Sequence, residues 1–239
     1  MIEINGISKK FGKLEVLNNI NLSFKSGECI ALIGPNGCGK TTLIKSILGM
    51  VIPTQGNIKV KNELITNSFE YRKHIGYMPQ IGRYPENMSI GQIIEMIKEI
   101  RKTDRLDEEL LNKFQLSGMF NKRMRTLSGG TTQKVSATLA FLFDPDILIL
   151  DEPTAGLDPL ASEILKDKII AEKEKGKLIL ITSHLLSELD DLITSIIFMQ
   201  DGKVHFHKTV SDLRASTGEE KISKAIANIL RNNTNEQNH

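Results

Sequence analysis

The sequence predicts an α/β protein with a parallel-sheet core, an antiparallel β subdomain and an inserted helical subdomain. Three observations carry this. The short continuous apolar runs Cys29-Ile30-Ala31-Leu32-Ile33, Ile147 to Leu150 and Leu178 to Thr182 have the pattern of strands buried on both faces. Alternating apolar residues at Ile2 and Ile4, and at Val16, Ile20, Leu22 and Phe24, mark antiparallel strands instead. Between these two kinds of strand and the second half of the core, residues 86–143 turn helical and highly charged.

Composition agrees with a folded domain of this kind. The chain has 239 residues, 40% apolar and 25% charged, which excludes wholesale disorder and collagen-like or mucin-like sequence. At about 150 residues per domain the length predicts one large domain or two small ones. A net charge of +2 is too small for a general nucleic-acid binder acting through its field, so no nucleic-acid partner is expected. No run approaches the roughly 18 apolar residues of a membrane helix, and the start, with Glu3 and alternating apolar residues, lacks the pattern of a secretory signal. Cys29 and Cys38 are too few for a disulfide framework or a metal site. Together these predict a protein of the cytosol.

In chain order, the alternating strands end at the Ser26-Gly27 turn, and the first buried strand ends in glycine. A helix follows, with Leu43, Ile44, Ile47 and Leu48 on one face, closed by Gly49 and Pro53. In the insertion, Ile93, Ile94, Ile97 and Ile100 form a stripe while Glu95, Lys98, Glu99, Arg101 and Lys102 face water. The core resumes with the strand at 147–150, a helix from Leu160 to Lys175 stopped by Gly176, and the strand at 178–182. Asp201-Gly202 between Ser195–Gln200 and Lys203–His207 signals a hairpin. His205 and His207 alternate on one strand face, but two ligands without a third read as a solvated strand. Ile222, Ala225, Ile226, Ile229 and Leu230 form an amphipathic helix that packs on the core or binds a partner, packing being favoured, and residues 232–239 read as a disordered polar tail.

Chemistry concentrates in two places. Gly34-Pro35-Asn36-Gly37-Cys38-Gly39-Lys40-Thr41, followed by Thr42, fits GxxxxGKT and stands after a buried strand at the start of a helix. Glycines let backbone N–H groups curl around phosphate oxygens and the helix start adds positive potential. Lys40 would reach the β- and γ-phosphates and Thr41 a Mg²⁺ ion. Downstream, four apolar residues run into Asp151-Glu152. A carboxylate at the end of a core strand holds Mg²⁺ and a second beside it orients and deprotonates an attacking water, which points to hydrolysis rather than group transfer.

Leu127-Ser128-Gly129-Gly130, lying between the phosphate loop and the Asp-Glu strand, resembles the signature of the ABC ATPases, and the remaining motifs of that family follow in order. Gln80 in Gly-Tyr-Met-Pro-Gln resembles the Q-loop, Asp151-Glu152-Pro153-Thr154 the Walker B motif with its catalytic Glu, Gly156-Leu157-Asp158-Pro159 the D-loop, and His184 in Ile-Thr-Ser-His the switch histidine. Phe11 stands where the family places an adenine-stacking aromatic, an exposed position, although core packing is an alternative for a phenylalanine. The family commonly has Gln after the signature glycines, whereas this chain has Thr131-Thr132-Gln133.

The resemblance spans residues 2–213 and implies an ABC ATPase fold with a RecA-like core. Its expected organisation is a catalytic lobe of residues 1–85 and 144–213, a helical signature subdomain of residues 86–143, and a C-terminal extension of residues 214–239. It implies ATP and Mg²⁺ as cofactors. Glu152, His184 and Gln80 would be catalytic, and Thr41, Gln80 and Asp151 would hold the metal. Residues 34–42, Phe11, Asp151, Ser128, Gly129, Gly130 and Asp158 would bind the nucleotide, Ser128, Gly129 and Gly130 that of the partner in a dimer of two copies closing head to tail. Lacking membrane helices, the chain would serve a separate membrane permease from the inner face of the cell membrane, received near Gly82-Arg83-Tyr84-Pro85. The signature region, the length and the tail look most like the ABC-2 type group, and within it the ATPases of nitrous-oxide reductase maturation. ATPases of multidrug or polysaccharide exporters are the alternative. DNA-repair relatives insert long coiled coils where this chain has only residues 81–127, translation-associated relatives carry two ATPase domains, and small nucleotide kinases lack the signature and the Asp-Glu-Pro.

Overall fold

The computed structural model describes residues 1–66, 68–103, 106–183 and 190–236, with side chains as far as Arg231. Strands β1 (Ile2–Phe11) and β2 (Leu14–Phe24) pair antiparallel, Ile2 against Phe24 and Phe11 against Leu14. β3 (Cys29–Ile33) is buried along its whole length and leads through the glycine-rich loop into α1 (Lys40–Ile47). The chain then returns to the first sheet, where β4 (Gln55–Val60) and β5 (Glu63–Leu64) complete the order β2-β1-β4-β5. A 3-10 turn over Glu70–His74 precedes β6 (Ile75–Met78).

The charged middle of the sequence forms α2 (Ile90–Arg101), α3 (Glu109–Lys113) and α4 (Gly129–Phe141), with short 3-10 turns between α3 and α4. α2 starts in a capping box, with the Ser89 hydroxyl accepting from the Gln92 N–H and the Gln92 side chain accepting from the Ser89 N–H. Its apolar stripe is shorter than the sequence suggests: Ile90, Ile93 and Ile94 are buried, but Ile100 is exposed. The helix leaves the core at that end, where the Arg101 guanidinium donates to the carbonyls of Arg72, Lys73 and Ile75 and so ties the last turn to the start of β6.

The second half runs β7 (Ile147–Asp151), α5 (Pro159–Glu174), β8 (Leu178–Thr182), β9 (Ser195–Gln200), β10 (Lys203–Thr209), α6 (Val210–Thr217) and α7 (Ile222–Glu236). The β9–β10 hairpin turns on Asp201 (φ 48) and Gly202 (φ 72), the left-handed pair that a tight right-twisted hairpin needs. α7 lays Ile222, Ala225 and Ile226 into the core, with Ile229 and Leu230 partly buried against it, and its backbone stays helical to Glu236, well into the polar stretch read as a tail.

The main sheet has the order β10-β9-β3-β8-β7-β6 and is parallel except for the terminal hairpin. Its strands are apolar on both faces because two cores sandwich it. Cys29, Ala31, Leu148, Leu150, Ile179 and Ile181 face the insertion, α5, α6 and α7. Ile30, Leu32, Ile147, Ile149, Leu178 and Leu180 face α1 and the antiparallel sheet. This is the architecture expected from the sequence, a parallel core with an antiparallel β subdomain and a helical insertion.

A buried ionic joint fastens the insertion to α5. Lys168, 1% exposed, pairs with Asp107 at 2.5 Å, Glu109 at 2.8 Å and Glu172 at 2.9 Å. Glu172 is itself fully buried and also pairs with Lys175 and Lys177, and Lys177 reaches Asp144 in the connection from α4 to β7. Burial opposes the Glu172 charge, but Lys175, Lys177 and Lys168 outweigh it and hold the Glu172 carboxyl down at about 2.

Candidate active site

The phosphate loop is built on glycines that have no alternative. A side chain on Gly39 (φ 107) would meet the Val16 carbonyl at 2.7 Å, so the loop folds tightly over β2 only because the position has no Cβ. Gly37 (φ 80) is the reverse case: nothing lies within 4 Å of where its Cβ would stand, which leaves the backbone open toward the cleft. The Lys40 ammonium lies on the loop's own carbonyls, 2.7 Å from Gly34 O and 3.2 Å from Pro35 O. Cys38 is buried beneath the loop.

Pairing of β7 with β8 sets the carboxylates. Register places Asp151 beside Thr182, whose hydroxyl donates to the Asp151 carboxylate. The backbone N–H of Glu152 donates to both Thr182 oxygens, each at 3.1 Å. Glu152 takes a left-handed conformation (φ 52), unusual for a residue with a long side chain, and this turn is where the strand ends and the carboxylate is presented. The Asp151 charge is felt on the neighbouring strand, where burial and then Asp151 push the Tyr77 phenol up to about 12.

A cleft of about 490 Å³ collects these groups. Asn36, Gly37, Gly39, Lys40, Thr41 and Thr42 form one side, and Gln80, Asp151, Glu152 and Thr182 the other. Leu14 and Val16 supply an apolar wall. Thr182 has no forecast in the sequence, because a threonine ending an apolar strand becomes informative only once its strand is known to lie next to Asp151.

The remaining predicted residues lie elsewhere. Phe11 is 51% exposed, pairs across the turn with Leu14 of the apolar wall, and carries the Lys9 ammonium 5.0 Å above its ring. Gly34 and Pro35 belong to the loop but do not line the cleft. Ser128 caps α4, accepting from the Thr131 N–H at 3.3 Å, and Ser128-Gly129-Gly130 do not line the cleft of their own chain. Asp158 caps α5, accepting from the Ala161 N–H at 2.9 Å, and pairs with Lys134 of α4 at 2.7 Å. His184 lies outside the described residues.

The donor set fits a nucleoside triphosphate with a hard divalent cation. An open backbone cradle and an ammonium stand on one side of the cleft, and a hydroxyl and a carboxylate, the oxygen ligands that Mg²⁺ takes, stand together within it.

The ABC transporter family matches residues 17–155 of this chain. The ABC transporter ATP-binding protein YhaQ of Bacillus subtilis (strain 168) is 31% identical over 93% of this chain and 76% of its own length. The Nod factor export ATP-binding protein I of Rhizobium sp. (strain N33) is 31% identical over 84% of this chain and 68% of its own length. A solved structure of an ATP-binding subunit of an ABC transporter superposes with a TM-score of 0.88 at 29% identity, covering 95% of this chain and 98% of that one. A dimeric ATP-binding cassette bound to ADP and Pi shares the fold, with a TM-score of 0.77 at 23% identity over 88% of this chain and 99% of its own. No helix among the described residues is long and apolar enough to cross a membrane. Phosphate loop, signature, Asp-Glu strand and family match agree, and the chain belongs to the ABC transporter family as an ATP-binding subunit built on the ABC ATPase domain.

Proposed function

We propose that this chain hydrolyses ATP in the cleft between the phosphate loop and β7, as one half of a head-to-tail dimer that powers a separate membrane permease. The observation that carries the chemistry is the convergence of Lys40, Thr41, Gln80, Asp151 and Glu152 on one cleft. Backbone N–H groups of residues 36–42 and the Lys40 ammonium bind and orient the phosphates. Thr41, Asp151 and Gln80 would hold Mg²⁺, which supplies neutralisation of phosphate charge. Glu152 takes the proton of the attacking water as general base, and Thr182 holds both the Asp151 carboxylate and the Glu152 backbone in place. Phe11, beside the apolar wall, receives the base, and His184 and Gln80 order the γ-phosphate and water.

The position of the signature turn supports dimerisation. Ser128-Gly129-Gly130 open a helix whose N-terminal dipole favours anions, yet they do not line their own chain's cleft. A second copy supplies the nucleotide they face, with Asp158 in the same interface. The permease docks at the groove lined by Arg83, Tyr84, Met50 and Ile97, and the chain works on the inner face of the membrane through that contact.

For cargo, we favour export. The relationship to a Nod factor export ATP-binding protein supports it, while copper-enzyme maturation rests on the resemblance of signature and tail. Glu152→Gln tests the chemistry: turnover should fall by roughly 10²–10⁴ while ATP stays bound and a dimer accumulates in light scattering. Unaltered turnover would remove Glu152 from the mechanism. Affinity capture from native membranes tests the cargo. A permease accompanied by assembly factors of a periplasmic copper enzyme would favour maturation, a permease alone export, and ribosomes or DNA-repair proteins would overturn transport.

A further inference from the structure

The signature helix and the catalytic carboxylate of the same chain are joined by a continuous path. Lys134, on α4 two turns beyond Ser128, has a side chain only 24% exposed and places its ammonium 2.7 Å from the Asp158 carboxylate. The other oxygen of that carboxylate is committed to the N-terminus of α5 at Ala161. A few residues back, the same segment touches the signature turn directly, since a Cβ on Gly130 would meet the Gly156 carbonyl at 2.9 Å. From there the backbone returns to the active site through successive turns, with the Leu157 N–H on Thr154 O at 3.2 Å and the Ala155 N–H on Glu152 O at 3.1 Å. Between Glu152 and the signature there is thus a chain of short bonds and one close backbone contact, with little slack. Lys134 binds α4 to the 152–158 segment by charge. Its ammonium also lies 5.9 Å from the Phe114 ring of the insertion, so it is held from both sides. The Asp158 carboxyl is kept below its usual range by Lys134 first and by the Ala161 N–H second.

We infer that Lys134 is a positioning residue for hydrolysis: it makes the signature turn and the Glu152 segment of one chain move together, so that engagement of the signature on the partner's nucleotide sets the carboxylate over this chain's own. The inference rests on the dimer reading above. Lys134 touches neither cleft nor phosphate; it acts through Asp158 and the turn that follows Glu152. Two copies coupled in this way should hydrolyse ATP cooperatively, because occupancy of one cleft positions the base of the other.

The test compares Lys134→Met, which keeps the aliphatic stem and removes the charge, with Lys134→Arg, which restores a cation. Expected for Lys134→Met are monomer ATP affinity within twofold of the parent by calorimetry, kcat lowered about tenfold, equivalent to about 1.4 kcal/mol, and a Hill coefficient for ATP falling toward 1. Lys134→Arg should recover most of both kinetic losses. Parental kcat and Hill coefficient in Lys134→Met would overturn the inference, as would a fall in ATP affinity and melting temperature in step with activity, which marks a plain packing role. A Glu152→Gln chain that stays monomeric with ATP would instead refute the dimer reading itself. The two failures are therefore told apart.

Discussion

Removing the charge of Lys168 should destabilise the protein by about 3 kcal/mol. Breaking one side of a buried ion pair costs about 3–5 kcal/mol, because the partner is left desolvated and uncompensated. Here the low end applies. Glu172, fully buried, keeps Lys175 and Lys177 when Lys168 is replaced. Asp107 and Glu109, 18% and 39% exposed, regain water. Unfolding entropy of about 2.1 cal/mol/K per residue scales, for 239 residues, to about 0.5 kcal/mol/K, so Lys168→Met should melt about 6 °C below the parent. The Glu172 carboxyl lies at about 2 in the folded chain against an ordinary 4.5. A depressed carboxyl contributes stability above its unfolded pKa and loses it as pH falls, so the parent should lose this contribution progressively from pH 4.5 down to about 2. Calorimetric melts at pH 7 and pH 3 measure both effects, and the double variant Lys168→Met with Glu172→Gln should cost less than the sum of the singles. A Lys168→Met melting temperature within 1 °C of the parent, or strictly additive losses, would show that the joint between α5 and the insertion contributes little.

Two further outcomes concern the cleft. Lys40→Met should weaken ATP binding by roughly tenfold or more, since a charge-assisted contact to phosphate is deleted; unchanged affinity by calorimetry would take Lys40 out of phosphate binding. Thr182→Val removes the donor to Asp151 and one acceptor of the Glu152 N–H. Hydrogen bonds to charged groups contribute about 1.5–3 kcal/mol, so steady-state kcat should drop at least about tenfold, with recovery in Thr182→Ser. A valine variant with parental kcat would leave Thr182 a packing residue only.

The parts of this protein legible in the sequence are those whose physics is local. A loop that needs positive φ and close approach must carry glycine, so Gly34, Gly37 and Gly39 mark the phosphate cradle without help from the rest of the chain. Strands buried on both faces are apolar at every position, so β3, β7 and β8 stand out as continuous runs, and Asp151-Glu152 is conspicuous for following one. Apolar periodicity, by contrast, says which face is buried but not how far the burying surface extends, and Ile100 is exposed because α2 outruns its core.

What only the tertiary structure decided is which distant residues share a boundary. Thr182 looks like the polar end of a strand until β8 is found next to β7, and Lys134 looks like a solvated helix lysine until α4 is seen beside the 152–158 segment. Lys168 is buried because Asp107 and Glu109 of the insertion meet it from across the helix boundary, while Glu172 lies one turn along its own helix. A hydrogen bond or an ion pair between elements leaves no periodic trace in either of them, since each side needs only one polar residue at one position. The strand order and helix placement that bring those positions within 3 Å are a property of the assembled core.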